Sequence, residues 1–278
     1  MDREALKLIK KFSRISPVAA GQEMSVIGLQ DALSVAQSCQ KHLGEVYRIA
    51  LAHQICPLCY IRNFATFTIE EQLLLAKSHL HIAGAGGLGG ALVMLLARLG
   101  IGKITIIDYD IFEESNLNRQ LFSRYATLGK SKVAVVAHDV ERINPAVEII
   151  AIQRKILPES VDDLFSKAAM IIDGMDNIET RRCIAKYASA QGIPFIHGAA
   201  GGWVGQVACF LPDGKNAFSS LYPNETIELR RRDVPACSPV LVASLQVVAA
   251  IKILLGKPQD DSLLHVDLAR NLFKQIEI

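Results

Sequence analysis

Two periodicities divide the chain. Through residue 66 apolar positions recur at mixed helical spacing, first Val26, Leu29, Leu33 and Val35, then Val46, Ile49, Ala50 and Ala52, which predicts a small helical N-terminal extension. Pro57 interrupts that pattern, and Thr68-Ile69-Glu70-Glu71 has the Thr-x-x-Glu form of a capping box, so a helix is expected from there to about Lys77. From Leu80 the pattern changes to short apolar runs separated by helical lengths, at 80–83, 104–107, 147–152, 169–172 and 194–196. Strands alternating with helices build βαβ units, which predicts an α/β fold with a Rossmann-like, doubly wound, mainly parallel sheet. Residues 203–210 alternate polar and apolar character around Gly205 and Gln206, as a half-buried strand does, and add an antiparallel extension. Val240 to Leu255 reads as a long apolar helix stopped by Gly256 and Pro258, and Leu263–Val266 with Phe273–Ile278 as a closing strand pair. The expected organisation is a helical extension over 1–66 and a main domain over 67–278.

Composition narrows the function classes. Half of the 278 residues are hydrophobic and 21% are charged, the proportions of a folded globular chain. A formal net charge of +2 recruits neither nucleic acid nor an anionic membrane, so no DNA or membrane partner is expected. The one tight basic run, Arg230-Arg231-Arg232, reads as a solvated loop. The chain begins Met-Asp-Arg-Glu without the apolar stretch of a secretory signal, and no later stretch reads as a membrane span, which gives a cytoplasmic expectation. Six scattered cysteines read as reduced thiols.

The chemistry gathers at the strand ends. Gly84-Ala85-Gly86-Gly87-Leu88-Gly89 follows the first strand of the main domain and opens an apolar helix, the setting of a phosphate-binding loop. Glycines permit close backbone approach, and the helix N-terminus supplies positive potential to an anion. Asp108 ends the next strand, where a carboxylate can hold a ribose. A nicotinamide or flavin enzyme would carry the same two features. The following segment separates the readings: Asn116-Leu117-Asn118-Arg119-Gln120, and Gly129-Lys130-Ser131-Lys132 opening a further helix, concentrate cations where displacement at a phosphate develops charge. Asp173-Gly174-Met175-Asp176-Asn177 also follows an apolar strand, and one acid at that edge is enough to hold magnesium together with phosphate and water.

Taken in order, GAGGLG, DYD, NLNRQ, GKSK and DGMDN resemble the ThiF/MoeB/HesA family, bacterial relatives of ubiquitin-activating enzymes. Agreement continues through Pro194–Gly201, Leu221-Tyr222-Pro223, Ser244-Leu245-Gln246 and Ile251–Gly256. The resemblance implies an adenylyltransferase that uses ATP and Mg2+ on the C-terminal glycine of a ubiquitin-like sulfur-carrier protein with a Gly-Gly tail, for molybdenum or tungsten cofactor, thiamine or related biosynthesis. Adenylation of a small molecule, peptide or modified RNA base, and a non-catalytic nucleotide-binding scaffold, stay open beside it. By resemblance Gly84, Gly86, Gly87 and Gly89 surround the nucleotide, Asp108 holds its ribose and Asp176 binds magnesium. Arg119, Gln120 and Lys132 face the phosphates with Asn116 nearby, and Asp110 and Asn177 complete the nucleotide-binding set. Tyr60-Ile61-Arg62-Asn63 is similar to the family's arginine motif that reaches a neighbouring subunit's ATP, which implies a homodimer with Arg62 acting in trans.

The chain also departs from the family pattern. Relatives hold structural zinc with two Cys-x-x-Cys pairs, whereas Ala217 and Ser220 stand at the first pair and no cysteine follows Cys237, so zinc is not expected there. Cys56 and Cys59 form a lone pair elsewhere and read as partly buried thiols, with a redox or intersubunit metal role as the alternative. Cys237, in a Pro-flanked loop, is the candidate nucleophile for a covalent step after adenylation, or an ordinary thiol. Cys183 and Cys209 read as packing residues, and His197 as a hydrogen-bonded structural histidine.

Overall fold

Caps and strand pairings set the element boundaries in the computed structural model, which describes residues 2–18, 22–214, 218–222, 233–259 and 262–278. Ala217, Pro223 and Arg230 to Arg232 lie outside these residues. The chain forms two compact units, one of residues 1–78 with 97–103 and 141–148, the other of 79–96, 104–140 and 149–278.

The first unit comprises α1 (Asp2–Phe12), β1 (Arg14–Pro17), β2 (Glu23–Ile27), α2 (Leu29–Cys39), α3 (Leu43–Ala52), β3 (Cys56–Pro57), a 3-10 helix over Leu58–Asn63 and α4 (Ile69–Lys77). β2 pairs antiparallel with β1, Ile15 opposite Ser25, and parallel with β3, Val26 opposite Cys56. The sequence reading expects helices and connections here; the small sheet exists because Val26 and Ile27 find strand partners, and tertiary pairing outweighs their helical spacing to Leu29. The expected boundary at 66/67 falls inside this unit, which continues to Ser78. Ile9, Ile27, Val35, Val46, Ala50 and Tyr60 form its core. Asn144 donates to the Tyr60 hydroxyl at 2.8 Å and to the Ala97 carbonyl at 2.7 Å, joining the three chain segments of the unit. At the start of α4 the capping box is formed, with Glu71 N donating to Thr68 Oγ1 at 3.1 Å and Thr68 N to Glu71 Oε2 at 2.8 Å.

The second unit contains β4 (His79–Ala83), α5 (from Gly87, ending at Leu99), β5 (Lys103–Ile107), α6 (Lys132–Ile143), β6 (Glu148–Ile152), α7 (Val161–Phe165), β7 (Ile171–Asp173), α8 (Ile178–Gln191), β8 (Phe195–Gly201), β9 (Val204–Phe210), α9 (Phe218–Leu221), α10 (Cys237–Leu254), β10 (Ser262–Asp267) and β11 (Leu272–Glu277), the terminal residues of α5, α6, β5 and β6 being shared with the first unit. The eight strands lie in the order β11-β10-β9-β8-β7-β4-β5-β6. β7 runs parallel to β4 and β8, while β8 to β11 pair antiparallel, the extension that the alternating run at 203–210 predicts. The chain moves outward from β4 through β5 to β6 and returns to place β7 on the other side of β4, so the order reverses between β4 and β7. Open α/β sheets bind ligands at such a switch point, beyond the strand carboxyl ends.

α10 corrects one expectation. Its 18 residues have mean hydropathy 1.9, so by length and composition the helix could cross a membrane. Half of it is buried in the protein, and it packs on β8 and β9, the placement of a core helix.

The capping box carries a direct prediction. Thr68→Ala removes the acceptor for Glu71 N and should lower the unfolding free energy by about 1 kcal/mol, read as a lower urea midpoint with an unchanged m-value. An unchanged midpoint would show that this cap contributes nothing.

Candidate nucleotide site

At the switch point two loops meet backbone to backbone. Gly84 adopts φ +92°, which L side chains rarely adopt, and a Cβ there would stand 2.7 Å from the Gly174 carbonyl oxygen. A Cβ on Gly89 would overlap the Gly84 carbonyl oxygen, and one on Gly174 would lie 2.8 Å from Gly89 Cα. Gly84 N donates to Ile107 O at 2.7 Å and Gly174 N to Ala83 O at 2.8 Å, so the loops leaving β4 and β7 are fastened to the strand ends. Gly86 and Gly87 are less crowded: the nearest atoms to their Cβ positions are Gln120 Nε2 at 3.7 Å and Arg119 O at 3.4 Å. These two glycines open α5, whose first N–H groups lack intrahelical acceptors and can meet an anion.

The charged residues arrange themselves around this junction. Asp108 accepts from Ala85 N at 2.7 Å through Oδ2 and from Asp110 N at 2.9 Å through Oδ1, which ties the end of β5 to the glycine loop. Asp110 does more than follow it: its Oδ2 lies 2.9 Å from Lys132 Nζ, whose side chain is 8% exposed. The Lys132 charge, expected to face phosphates, is thus balanced by Asp110. Asp110, Asp108 and Asp176, together with partial burial, raise the Tyr109 hydroxyl above its ordinary value, Asp110 most. Asp176 is exposed and accepts a 3.3 Å bond from Asn177 Nδ2, leaving carboxylate capacity facing solvent. Asn177 itself caps α8, its Oδ1 accepting from Thr180 N at 2.9 Å, so its side-chain oxygen already has a helix to serve.

Arg119 is partly buried and donates to Ser115 O and Asn118 Oδ1, each at 2.9 Å, both neutral acceptors. Asn116 is buried and fixes its own turn by accepting from Glu113 N at 3.0 Å. Gln120 is also buried, and its Oε1 has no hydrogen-bond partner, an orphan acceptor next to the glycine loop that a ligand hydrogen or cation would satisfy. Beside Asp108 lies a cavity of about 760 Å3, bordered by Ile107, Ile156, Leu157, Met175 and Ile178. Arg154, Lys155, Asn177 and Glu179 border it as well, and a cavity of mixed character with the Asp108 carboxylate at its edge can take a base and its ribose.

The donor set fits magnesium only as a companion of a nucleotide. Among the described residues no cluster of three or more His, Cys, Asp or Glu is placed to hold a metal by itself. Magnesium, which keeps water and phosphate ligands, needs only one or two carboxylates, and exposed Asp176 supplies one. Arg62 lies in the 3-10 helix of the first unit. Cys237 is exposed but is the first residue of α10 rather than part of a loop: Ser238 Oγ anchors that helix start to Gly202 O at 2.6 Å. Cys183, half-buried on α8, borders the cavity, and Cys209 is buried in β9.

Sequence reasoning passed over the buried group behind Asp176. It treated the acids of DGMDN alike, yet Asp173 is fully buried and points inward. Its Oδ2 receives His197 Nδ1 at 2.7 Å and lies 3.0 Å from Arg181 Nε, while its Oδ1 accepts from Met175 N at 2.9 Å. Burial pushes the Asp173 carboxyl up, but Arg181 and His197 outweigh it and hold the group below its ordinary value. His197 also meets the Tyr222 hydroxyl at 3.1 Å, and Gln246 Nε2 donates to Asp173 O at 2.8 Å, the latter packed where a Gly198 side chain would stand. The structural reading of His197 agrees with this geometry. Arg181 stands three positions after Ile178 and three and four before Ile184 and Ala185, so helical spacing places it on the buried face of α8, a signal that could have found it.

The pH dependence of this group is testable. Burial lowers His197 below its ordinary value despite the pull of Asp173, so the unfolded chain binds the proton more tightly than the folded one. Its stabilising share is present above the unfolded value of about 6.5 and is lost as pH falls below it. Urea unfolding should therefore show a smaller gap between wild type and His197→Gln at about pH 5.5 than at about pH 7.5. A gap independent of pH would contradict a neutral buried His197.

Known proteins resemble this chain in sequence and in fold. The model of the ThiF family matches residues 60–278. The probable adenylyltransferase/sulfurtransferase MoeZ of Mycobacterium tuberculosis is 32% identical over 200 residues, covering 68% of this chain and 50% of that protein. The SAMP-activating enzyme E1 of Haloferax volcanii is 30% identical over 217 residues, covering 74% of this chain and 79% of that protein. Among solved structures, Escherichia coli MccB superposes with a TM-score of 0.71 at 19% identity, covering 79% of this chain and 69% of that one, which shows the fold. The chain spans about half the length of MoeZ.

Proposed function

We propose, because this chain belongs to the ThiF family, that it is an ATP-dependent adenylyltransferase whose substrate is the C-terminal carboxylate of a ubiquitin-like sulfur carrier with a Gly-Gly tail. The observation that carries this reading is the convergence at the switch point: a glycine loop opening α5, Asp108 beside a cavity, and the buried Lys132 paired with Asp110. A hydride-transfer site has no use for a buried lysine facing the phosphate end. Relatives named adenylyltransferase/sulfurtransferase and SAMP-activating enzyme support the activity and the substrate class.

The chemistry needs little from the protein beyond placement. A substrate carboxylate is ionised at neutral pH and needs no general base. It attacks the α-phosphorus of ATP, an oxygen–phosphorus bond forms as the bond to pyrophosphate breaks, and an acyl-adenylate results. Lys132 and Arg119 stabilise the charge that develops on the phosphate oxygens, Asp108 holds the ribose, and the α5 N-terminus receives the phosphates. Arrival of the phosphates gives Lys132 a second anion to share with Asp110. Magnesium, when bound with the triphosphate at Asp176, offsets further negative charge. We place the homodimer and the contribution of Arg62 from a neighbouring subunit in the same proposal, on the resemblance of Tyr60–Asn63 to the family motif.

A second reading, adenylation of a noncarrier substrate, keeps one observation in its favour: the likeness to MccB, which was solved together with MccA and AMPCPP.

Wild type should catalyse ATP–pyrophosphate exchange that depends on a Gly-Gly-tailed carrier. Lys132→Ala and Asp176→Ala should each lower exchange by about 100-fold or more with the fold intact by circular dichroism. Full exchange in either variant would remove that residue from the site, and ATP binding without exchange across a broad carrier panel would favour the noncarrier reading. In proven heterodimers of Arg62→Ala with Lys132→Ala subunits, activity in trans should return at one of the two sites; none would count against the shared arrangement.

A further inference from the structure

The Asp173–Arg181 pair lies directly behind the loop that carries Asp176, and its contacts are specific to one residue of that loop. Asp173 Oδ1 accepts from Met175 N at 2.9 Å, and Arg181 Nη2 donates to Met175 O. The same Arg181 nitrogen donates to Gly198 O at 3.0 Å, anchoring the grip to β8. Both peptide planes of Met175 are therefore held by one buried ion pair, and the second of those planes also carries the N–H of Asp176. On the far side Asn177 is fixed by its cap to Thr180 N. Asp176 thus follows a peptide held from behind and precedes the residue that caps α8, and is itself exposed.

Packing does not require this arrangement. Arg181 is 2% exposed and Asp173 is wholly buried, and a well-packed apolar pair would fill such a space without the desolvation of two charges. What apolar side chains cannot do is grip the N–H and the C=O of a single residue. We propose that Arg181, with Asp173, is a positioning residue that sets the direction in which the Asp176 carboxylate meets the phosphate-bound cation. This rests on the adenylation reading and deepens it: the pair touches neither nucleotide nor substrate and acts through the Met175 backbone. Outer residues that orient a metal ligand typically contribute about 10–100-fold to metal affinity.

The test is calorimetric ATP binding by the full chain, with and without magnesium, which needs no carrier and no turnover. Arg181→Lys keeps a positive charge beside Asp173 but gives up the guanidinium fork that reaches Met175 O. It should lose about tenfold of the magnesium-dependent tightening of ATP while binding ATP without magnesium within about twofold of wild type. Asp176→Asn should lose the same tightening, and His197→Gln, which leaves the grip on Met175 in place, should keep it. If melting shows that Arg181→Lys does not fold, the paired Asp173→Asn, Arg181→Gln variant, which removes both charges together, replaces it with the same expected loss. Equal weakening with and without magnesium, or none, would overturn the positioning role and leave the adenylation reading standing. Failure of wild type to bind ATP at all would overturn both.

Discussion

The close approach of Gly84, Gly89 and Gly174 is the constraint on which the rest of the site depends. A side chain on Gly89 would overlap the Gly84 carbonyl oxygen, and one on Gly84 or Gly174 would strike the opposite loop within 3 Å. Only with these three positions bare can the loop leaving β4 lie against the loop leaving β7 while the first stays bonded to the end of β5 and the second to the end of β4. That contact brings the α5 N-terminus, which Asp108 fastens through Ala85, to the loop that presents Asp176. Backbone geometry, set by sheet topology, therefore decides which side chains share the site.

Electrostatics then divides the labour. The cation most suited to a developing phosphate charge, Lys132, pairs with Asp110 at 2.9 Å in a largely buried position. The acid suited to a metal, Asp176, stands exposed, while Asp173, three residues earlier, is sealed inside with Arg181 and His197. Two carboxylates of one short motif thus take opposite roles because one faces the protein and the other faces solvent. The buried pair keeps its charges because both are matched, and its energy is directed at backbone groups rather than at a ligand.

Most of the sheet was legible from the chain, and particular residues show why the remainder was not. Short apolar runs marked β4 to β8, the alternation around Gly205 marked β9, and Thr68 with Glu71 marked the start of α4, since each signal is local. The sheet of the first unit was not legible: β1 and β3 are four and two residues long and owe their conformation to pairing with β2. At the site, the glycine loop, Asp108, Lys132 and Asp176 could be named from motif order, but the pairing of Lys132 with Asp110, the helix-capping duty of Asn177 and the inward turn of Asp173 could not. Those depend on which side of a loop a residue faces, and no spacing rule encodes that. Arg181 shares a helix face with Ile178, Ile184, Ala185 and Ala188, so its burial was legible from spacing, but its contacts with the Asp173 loop and β8 were not.

Adenylation of a carrier makes one prediction that a nucleotide-binding scaffold does not share, the transfer of an oxygen atom from substrate to nucleotide. Incubating the protein with ATP, magnesium and a Gly-Gly-tailed carrier labelled with 18O in its C-terminal carboxylate, then weighing the AMP released after a nucleophile captures the acyl group, follows that atom. Carboxylate attack on the α-phosphorus predicts AMP that carries one labelled oxygen. Unlabelled AMP, or ADP as the product, would contradict it.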